Sequence, residues 1–469
     1  MLAMMVTGRA ASSSNGSLVG KLERELQPGT VVTDPELMLA YRGDHADLVP
    51  AGQPLAVVIP RCLEEVSVTL GWAYAHRVPA IARGAGSGLA GGATALDGSL
   101  IICLERMTQI RNVTPEDQMI EVEAGVITAE ISRHVERFGL FYPPDPSSFE
   151  ISTIGGNLAT NAGGLRCVKY GVTRDAVLGL EVVLADGRIL HTGGKTVKNV
   201  AGYDLSRLFV GSEGTLGIIT AATLRLRPRP EQEPVTFVAT FATAEAAGAC
   251  VSSIVRQGLT PSLLELLDHT MINAIEDYQR HDLDRSAAAL LIGQADGADA
   301  PGQLERMASV CEQSGATMVV ASDDPSDSAS LLSARRIAYF ATQALGTTVI
   351  EDVGVPRSRL AELIHAIDAV AERYRIQIPV VGHAGDGNLH PTLVLARGDP
   401  NARATAMAAA QDICTAALAL GGTITGEHGI GALKREWLAE ELDDVAMWAH
   451  RRLKDALDPS GILNPGRAF

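Results

Sequence analysis

Residues 142–164, YPPDPSSFEISTIGGNLATNAGG, limit what this 469-residue chain can fold into more than any other stretch. Pro143, Pro144 and Pro146 hold its entry extended rather than helical. From Ser152 onward nearly every residue is small or carries a short polar side chain. The pairs Gly155-Gly156 and Gly163-Gly164 let backbone pass close to a bound group and aim N–H donors at it. Ser152, Thr153, Asn157, Thr160 and Asn161 add side-chain donors and acceptors. The stretch is too polar for a core strand and too uncharged for an ordinary surface loop. It reads either as a rigid glycine-rich turn between core elements or as a cradle for a ligand.

A chain of this length divides into two or three domains rather than one core. A formal charge of −16 argues against nucleic acid, which demands a basic face. It leaves an anionic small substrate open, because a site needs only local positive charge. Six cysteines (Cys62, Cys103, Cys167, Cys250, Cys311, Cys414) are scattered, which excludes a zinc ribbon, a thioredoxin-like motif or a local iron–sulfur ligand set. Dispersed thiols fit a reducing cytoplasm. No apolar run reaches membrane-spanning length, so no transmembrane segment is expected. Residues 1–17 are small and polar and are expected to form a disordered tail.

Residues 55–59, 63–76 and 79–83 read as strand, helix and strand. The next segment, RGAGSGLAGG at 83–92, fits GxGxxG spacing at Gly86, Gly88 and Gly91. That fingerprint needs a helix directly after it, and Gly92, Thr94 and Asp97-Gly98 forbid one. The expectation is a loop of N–H groups that can hold a diphosphate without a helix. Residues 209–220 end in a β-branched strand able to lie against an adenine or flavin ring. After Pro228-Arg229-Pro230, strands (236–241, 263–267, 288–292, 317–320) alternate with helical stretches (243–257, 301–312, 329–345, 357–374, 402–420). The alternation reads as a second α/β domain whose helices cover a face of its sheet.

The segment VVGHAGDGNLH, 380–390, carries the most chemical information. A two-residue turn at Asp386-Gly387 would pair His383 with His390 across a hairpin, with Cβ atoms about 4.5–5.5 Å apart. Two imidazoles that close make a metal clamp, unless the hairpin is a surface feature with idle histidines. GGTITGEHGIG, 421–431, presents Glu427 and His428 between glycines. Arg335 and Arg336 are candidates for gripping a carboxylate. On the helix expected over 329–345 they point about 100° apart, so only one would face the site; a solvated pair is the alternative.

Taken in order, the blocks at 83–92, 144–164, 211–217 and 380–390 with 421–431 resemble the FAD-linked oxidases with a PCMH-type (vanillyl-alcohol-oxidase-like) flavin domain. Within that superfamily the chain looks like the D-2-hydroxyacid branch, which holds D-lactate dehydrogenases, D-2-hydroxyglutarate dehydrogenases and the flavin subunit of glycolate oxidase. The likeness runs from about residue 47 to the end. It implies an α+β fold: a two-subdomain PCMH-type FAD-binding domain over 18–229, an α/β cap (substrate) domain over 230–432, and a C-terminal segment, 433–469, packing back on the FAD domain. FAD would be held by Arg83, Gly84, Ala85, Gly86, Ser87, Gly88 and Leu89, and by Pro144, Asp145, Thr153, Gly155, Gly156, Asn157, Thr160, Asn161 and Gly163. Ile218 and Ile219 would lie near the adenine end, and Asn464 would return to the flavin. No histidine or cysteine stands in 83–92, so the flavin is expected to be non-covalent, with Cys167 the one candidate against that.

The resemblance further implies that His383, His390 and Glu427 bind a divalent metal, zinc in such relatives. His428 is the implied base, and Arg335 the carboxylate anchor by its alignment with the family's pattern. The implied reaction oxidises a D-2-hydroxy acid to the 2-oxo acid, the hydroxyl proton going to His428 and the C2 hydride to flavin N5. Relatives acting on 2-hydroxyglutarate carry a lysine where this chain has Ile350-Glu351. That departure points to a monocarboxylate such as D-lactate or glycolate. The alternatives are a D-2-hydroxyglutarate dehydrogenase-like activity, or a flavin transferase of the alkyl-glycerone-phosphate synthase type, whose run of adjacent histidines is missing here. A quinone, a cytochrome, an electron-transfer flavoprotein or a separate iron–sulfur subunit all remain open as electron acceptor.

Overall fold

The computed structural model describes residues 10–468. Its first helix, Ala10–Glu25, occupies residues that the sequence reading assigned to a disordered tail. Val19 and Leu22, with Leu26 just beyond, bury into the first core at helical spacing and anchor it. The rest of that expected tail, residues 1–9, lies outside the described residues.

A four-stranded sheet runs in the order Val31–Val32, Ala56–Val58, Leu100–Cys103, Ala80–Arg83. Ala56–Val58 and Ala80–Arg83 pair parallel to Leu100–Cys103, with helix Leu63–His76 as the crossover. No helix follows Arg83 before Leu100, so residues 84–99 form a loop as expected. A five-stranded antiparallel sheet follows, in the order Ile110–Thr114, Met119–Glu123, Ile218–Arg225, Val177–Val183, Ile189–Gly193. Ala124, Val183 and Ile218 pack it against the first sheet.

Between these sheets the proline- and glycine-rich stretch contains more helix than its composition suggests. Thr153 caps Ile154–Thr160, its Oγ1 accepting the Gly156 N–H at 3.3 Å. Glycine costs a helix interior about 1 kcal/mol against alanine. Packing requires one here, because a Cβ on Gly155 would sit 2.7 Å from the Ala124 Cβ.

The third large sheet has eight strands. Its order is Ala316–Ser322, Val235–Phe241, Ala289–Ala295, Leu263–Asp268, Val380–His383, Asn388–Leu395, Thr347–Ile350, with Val353–Gly354 pairing off this path to Asn388–Leu395. Every pairing in it is antiparallel, so the alternation of strands and helices gives an α+β layer without parallel crossovers. Ala244–Arg256, Ala300–Gln313, Leu360–Tyr374 and Ala402–Ala419 cover one face. The other is covered too, by His269–Tyr278 and Ala338–Leu345. The single helix expected over 329–345 is two, Pro325–Arg336 and Ala338–Leu345, meeting at Ile337.

The chain ends back on the first sheet. Leu463 bridges Ala80 in parallel, and Arg467 donates to the carbonyls of Gly91 and Thr94. No helix among the described residues is long and apolar enough to cross a membrane.

Candidate active site

Three neighbouring strands of the eight-stranded sheet present polar side chains on one face. His383 pairs with Asn388, and Val381 with His390, so the turn spans residues 384–387. The expected pairing of His383 with His390 is therefore two residues out of register. Gly385 explains the longer turn, since its N–H donates to Leu264 O at 3.0 Å and draws the loop onto the next strand. Because side chains alternate with a period of two, an even slip keeps both histidines on the same face. They meet diagonally, with ring centroids 5.1 Å apart and nearly perpendicular planes.

Glu265 stands opposite His383 on Leu263–Asp268 and is fully buried. Its Oε1 lies 2.7 Å from His383 Nδ1 and its Oε2 accepts from Arg335 Nε at 2.7 Å. Burial would lower the His383 pKa, but the Glu265 and Glu427 carboxylates hold it well above the ordinary value. Burial would likewise raise Glu265, and the His383 and Arg335 charges reverse the shift. With Nδ1 bound to Glu265, His383 turns Nε2 towards Glu427 Oε1, 3.3 Å away.

Glu427 Oε1 is also 3.3 Å from His390 Nε2. One ligand atom from each of His383, His390 and Glu427 lies within 4.8 Å of the others. Despite burial, the two imidazoles hold the Glu427 carboxyl well below its usual range. His428 stacks on His390, centroids 5.0 Å apart and planes 10° from parallel. Burial lowers its pKa, and the nearby Asp352 only partly opposes this.

Asp352, which the sequence reading missed along with Glu265, organises this loop. Its carboxylate is fully buried and accepts from Asn388 Nδ2 at 2.7 Å, Thr425 Oγ1 at 2.8 Å, and the Glu427 and His428 N–H groups at 2.8 and 2.9 Å. Asp352, His390 and His428 also come within ligand reach of one another. The four donors already on Asp352 leave His383, His390 and Glu427 the better cation cradle.

Glu427, His390, His428 and Arg335 line one end of a cavity of about 480 Å³ between the two domains. Arg336 lines it too, which the 100° argument excluded: both residues stand in the last turn of Pro325–Arg336, Arg335 buried and Arg336 exposed, and both reach the cavity. The other end is formed by Arg83, Gly84, Ala85, Gly86, Ser87, Gly88 and Leu89, by Thr153, Gly155, Gly156, Asn157 and Thr160, and by Ile218 and Ile219.

Among the described residues the N–H groups of 85–92 find no protein acceptor, so they are available to an anion. A Cβ at Gly84 would lie 2.2 Å from Thr153 Oγ1, so glycine is what lets the two loops close together. This donor-rich, side-chain-poor cradle fits the diphosphate of a dinucleotide. Arg83 lines this end while its Nη1 donates to Gly43 O at 2.7 Å.

Pro144, Asp145, Asn161, Gly163 and Asn464 stand outside the cavity wall. Pro144 is buried at the stretch's extended entry. Asp145 accepts from the Arg166 N–H, and Asn161 Oδ1 from the Arg174 N–H. Gly163 lies against Glu427, where a Cβ would come within 2.4 Å of Oε2. Asn464 Nδ2 donates to Gly92 O and Glu213 O, bracing the loop from behind.

Two known structures share this architecture. One is p-cresol methylhydroxylase with substrate bound (TM-score 0.83, 18% identity, 98% of each chain). The other is alkyldihydroxyacetonephosphate synthase (TM-score 0.74, 19% identity, 96% of this chain and 84% of that one). These define a PCMH-type α+β fold with two domains around one cavity. Residues 54–193 match the family model described as FAD binding domain, and residues 230–468 that of FAD linked oxidases, C-terminal domain.

The chain belongs to the FAD-linked oxidases and is an FAD-dependent oxidoreductase. It is 45% identical to glycolate oxidase subunit GlcD of Bacillus subtilis over 89% of both chains. It is 38% identical to D-lactate dehydrogenase of Archaeoglobus fulgidus over 91% of this chain and 95% of that one.

Proposed function

We propose that the protein oxidises a D-2-hydroxy monocarboxylate of the lactate or glycolate kind to the 2-oxo acid, with non-covalent FAD and a divalent cation, zinc by its ligands, at His383, His390 and Glu427. The observation that carries this reading is the cluster of His383, His390, Glu427 and Glu265 with His428 and Arg335, of which His390, Glu427, His428 and Arg335 line one end of the cavity between the domains. Relatives named for glycolate and D-lactate support the substrate class.

When bound, FAD would supply a two-electron acceptor, and a cation held by His383, His390 and Glu427 would supply Lewis acidity. Arg335, tethered through Nε, keeps its two Nη groups for the substrate carboxylate. His428 takes the hydroxyl proton, and the lowered pKa keeps it neutral and ready to do so near pH 7. Met271, Ile350 and Val381 close the wall near these groups with apolar surface, which suits a small uncharged substituent better than a second carboxylate. The electrons leave to a separate acceptor, and the six free thiols support a cytoplasmic setting.

The test is turnover with an artificial acceptor across paired D- and L-2-hydroxy acids, with metal content measured before and after chelation. D-lactate or glycolate should be oxidised fastest, and activity should fall with the metal. Equal rates for both enantiomers of lactate, or full activity in metal-free protein, would contradict the reading.

A further inference from the structure

A second cavity, of about 340 Å³ and with a wall otherwise different from the first, reaches His383 and Glu427. Its wall includes Gly163, Cys167, Val172, His383, Asp386 and Glu427. Glu427 belongs to both cavities, while His390 faces the flavin cavity and His383 the smaller one. The triad is therefore a partition with two doors.

The doors differ in charge. Arg335 and Arg336 line the flavin cavity near the triad, an environment that draws an anionic acid and repels a free divalent cation. Among the described residues no lysine or arginine lines the smaller cavity, and its charged groups besides His383 are the carboxylates of Asp386 and Glu427. Among the described residues no hydrogen bond to a protein donor occupies the Asp386 carboxylate, and Arg357, held by Gly385 O, stands beside it without lining the cavity, whereas Glu427 is aimed at the triad. Gly163 keeps the passage to Glu427 open, since any side chain there would meet Oε2.

Resting on the metal reading above, we propose that the smaller cavity is the loading port through which a divalent cation reaches His383, His390 and Glu427. Asp386 is the carboxylate that captures the cation at this port. Cation and anionic substrate then enter by separate routes, and metal exchange does not require the flavin to leave. Asp386 is a positioning residue in this scheme, acting on the approach of the ion and not on its final ligand set.

The test uses FAD-loaded protein stripped of metal and mixed with Co2+, whose visible absorption on entering a histidine–carboxylate site reports uptake without turnover. Asp386→Asn should slow uptake about tenfold at low ionic strength, with the gap to wild type closing as salt screens the capture charge. Val172→Trp, which narrows the port from the FAD-domain side, should slow both uptake and release to a chelator at every salt concentration. Both variants should keep the wild-type flavin spectrum and reach the same final Co2+ occupancy. Wild-type uptake rates in both variants would overturn the port while leaving the triad intact as a metal site. Failure of the wild-type protein to bind Co2+ at all would overturn the metal reading itself, and the port with it.

Discussion

Glu265→Gln tests the buried tie between the cap sheet and the substrate side of the site. The carboxylate is fully buried and makes two hydrogen bonds of 2.7 Å, one with His383 Nδ1 and one with Arg335 Nε. Each charge-assisted bond contributes about 1.5–3 kcal/mol, and breaking a buried pair from one side costs about 3–5 kcal/mol. Glutamine keeps the volume and one acceptor oxygen but turns an N–H2 group towards a second donor. The loss should therefore fall near the lower bound, about 3 kcal/mol of cap-domain stability. At roughly 2–4 °C per kcal/mol for a domain of this size, the cap-domain unfolding midpoint should drop by about 6–12 °C. Activity should fall by about 10–100-fold, as for other groups that orient a ligating histidine. Differential scanning calorimetry and steady-state kinetics on the same FAD-loaded preparation give both numbers. A midpoint within about 2 °C of wild type, with unchanged kcat/KM, would refute the claim that Glu265 fixes His383 and Arg335 together.

Other perturbations follow from the same geometry. His428→Gln should lower kcat by about 10²–10⁴-fold with full flavin content, since it removes only the proton acceptor; loss of FAD instead would give His428 a cofactor-binding role. In the wild type, burial lowers the His428 pKa, and the base works only when neutral. The acid limb of kcat/KM should therefore lie below the ordinary histidine value of about 6.5, with activity held as pH falls to it and lost beneath it. A pH profile with its acid limb at or above that value would count against the assignment. Arg335→Lys keeps the charge but loses the planar fork, and should cost about 2 kcal/mol in kcat/KM, mostly through KM for the hydroxy acid. Gly163→Ala should push Glu427 aside and reduce kcat by up to about a hundredfold with the flavin absorbance intact, because the new Cβ would stand 2.4 Å from Oε2.

How far the sequence could be read depended on whether a residue's partners were local. The glycine loop at 84–92 and the histidines at 383 and 390 were readable because their chemistry lies in short strings of fixed spacing. The hairpin register was not, since Gly385 bonds to Leu264, more than a hundred residues away. Helix Ile154–Thr160 was hidden by its glycines, although Thr153 at the cap and Ile154 and Leu158 one turn apart carry a helix signal. Glu265 left a trace that could have been followed: a single carboxylate among Leu263, Leu264, Leu266 and Leu267 has to be paired when the strand is buried. Asp352 left none, because its four donors come from residues 388, 425, 427 and 428. The pairing of Val353–Gly354 with Asn388–Leu395 brings the first of these, and the bridge between Gly354 and Thr423 brings the other three.

The most direct test is anaerobic titration of the purified yellow protein with D-lactate and glycolate, following the flavin absorbance. Stoichiometric bleaching by at least one of them, lost in His428→Gln while dithionite still reduces the flavin, is the predicted result. A flavin that stays oxidised with every 2-hydroxy acid would contradict the account at its centre.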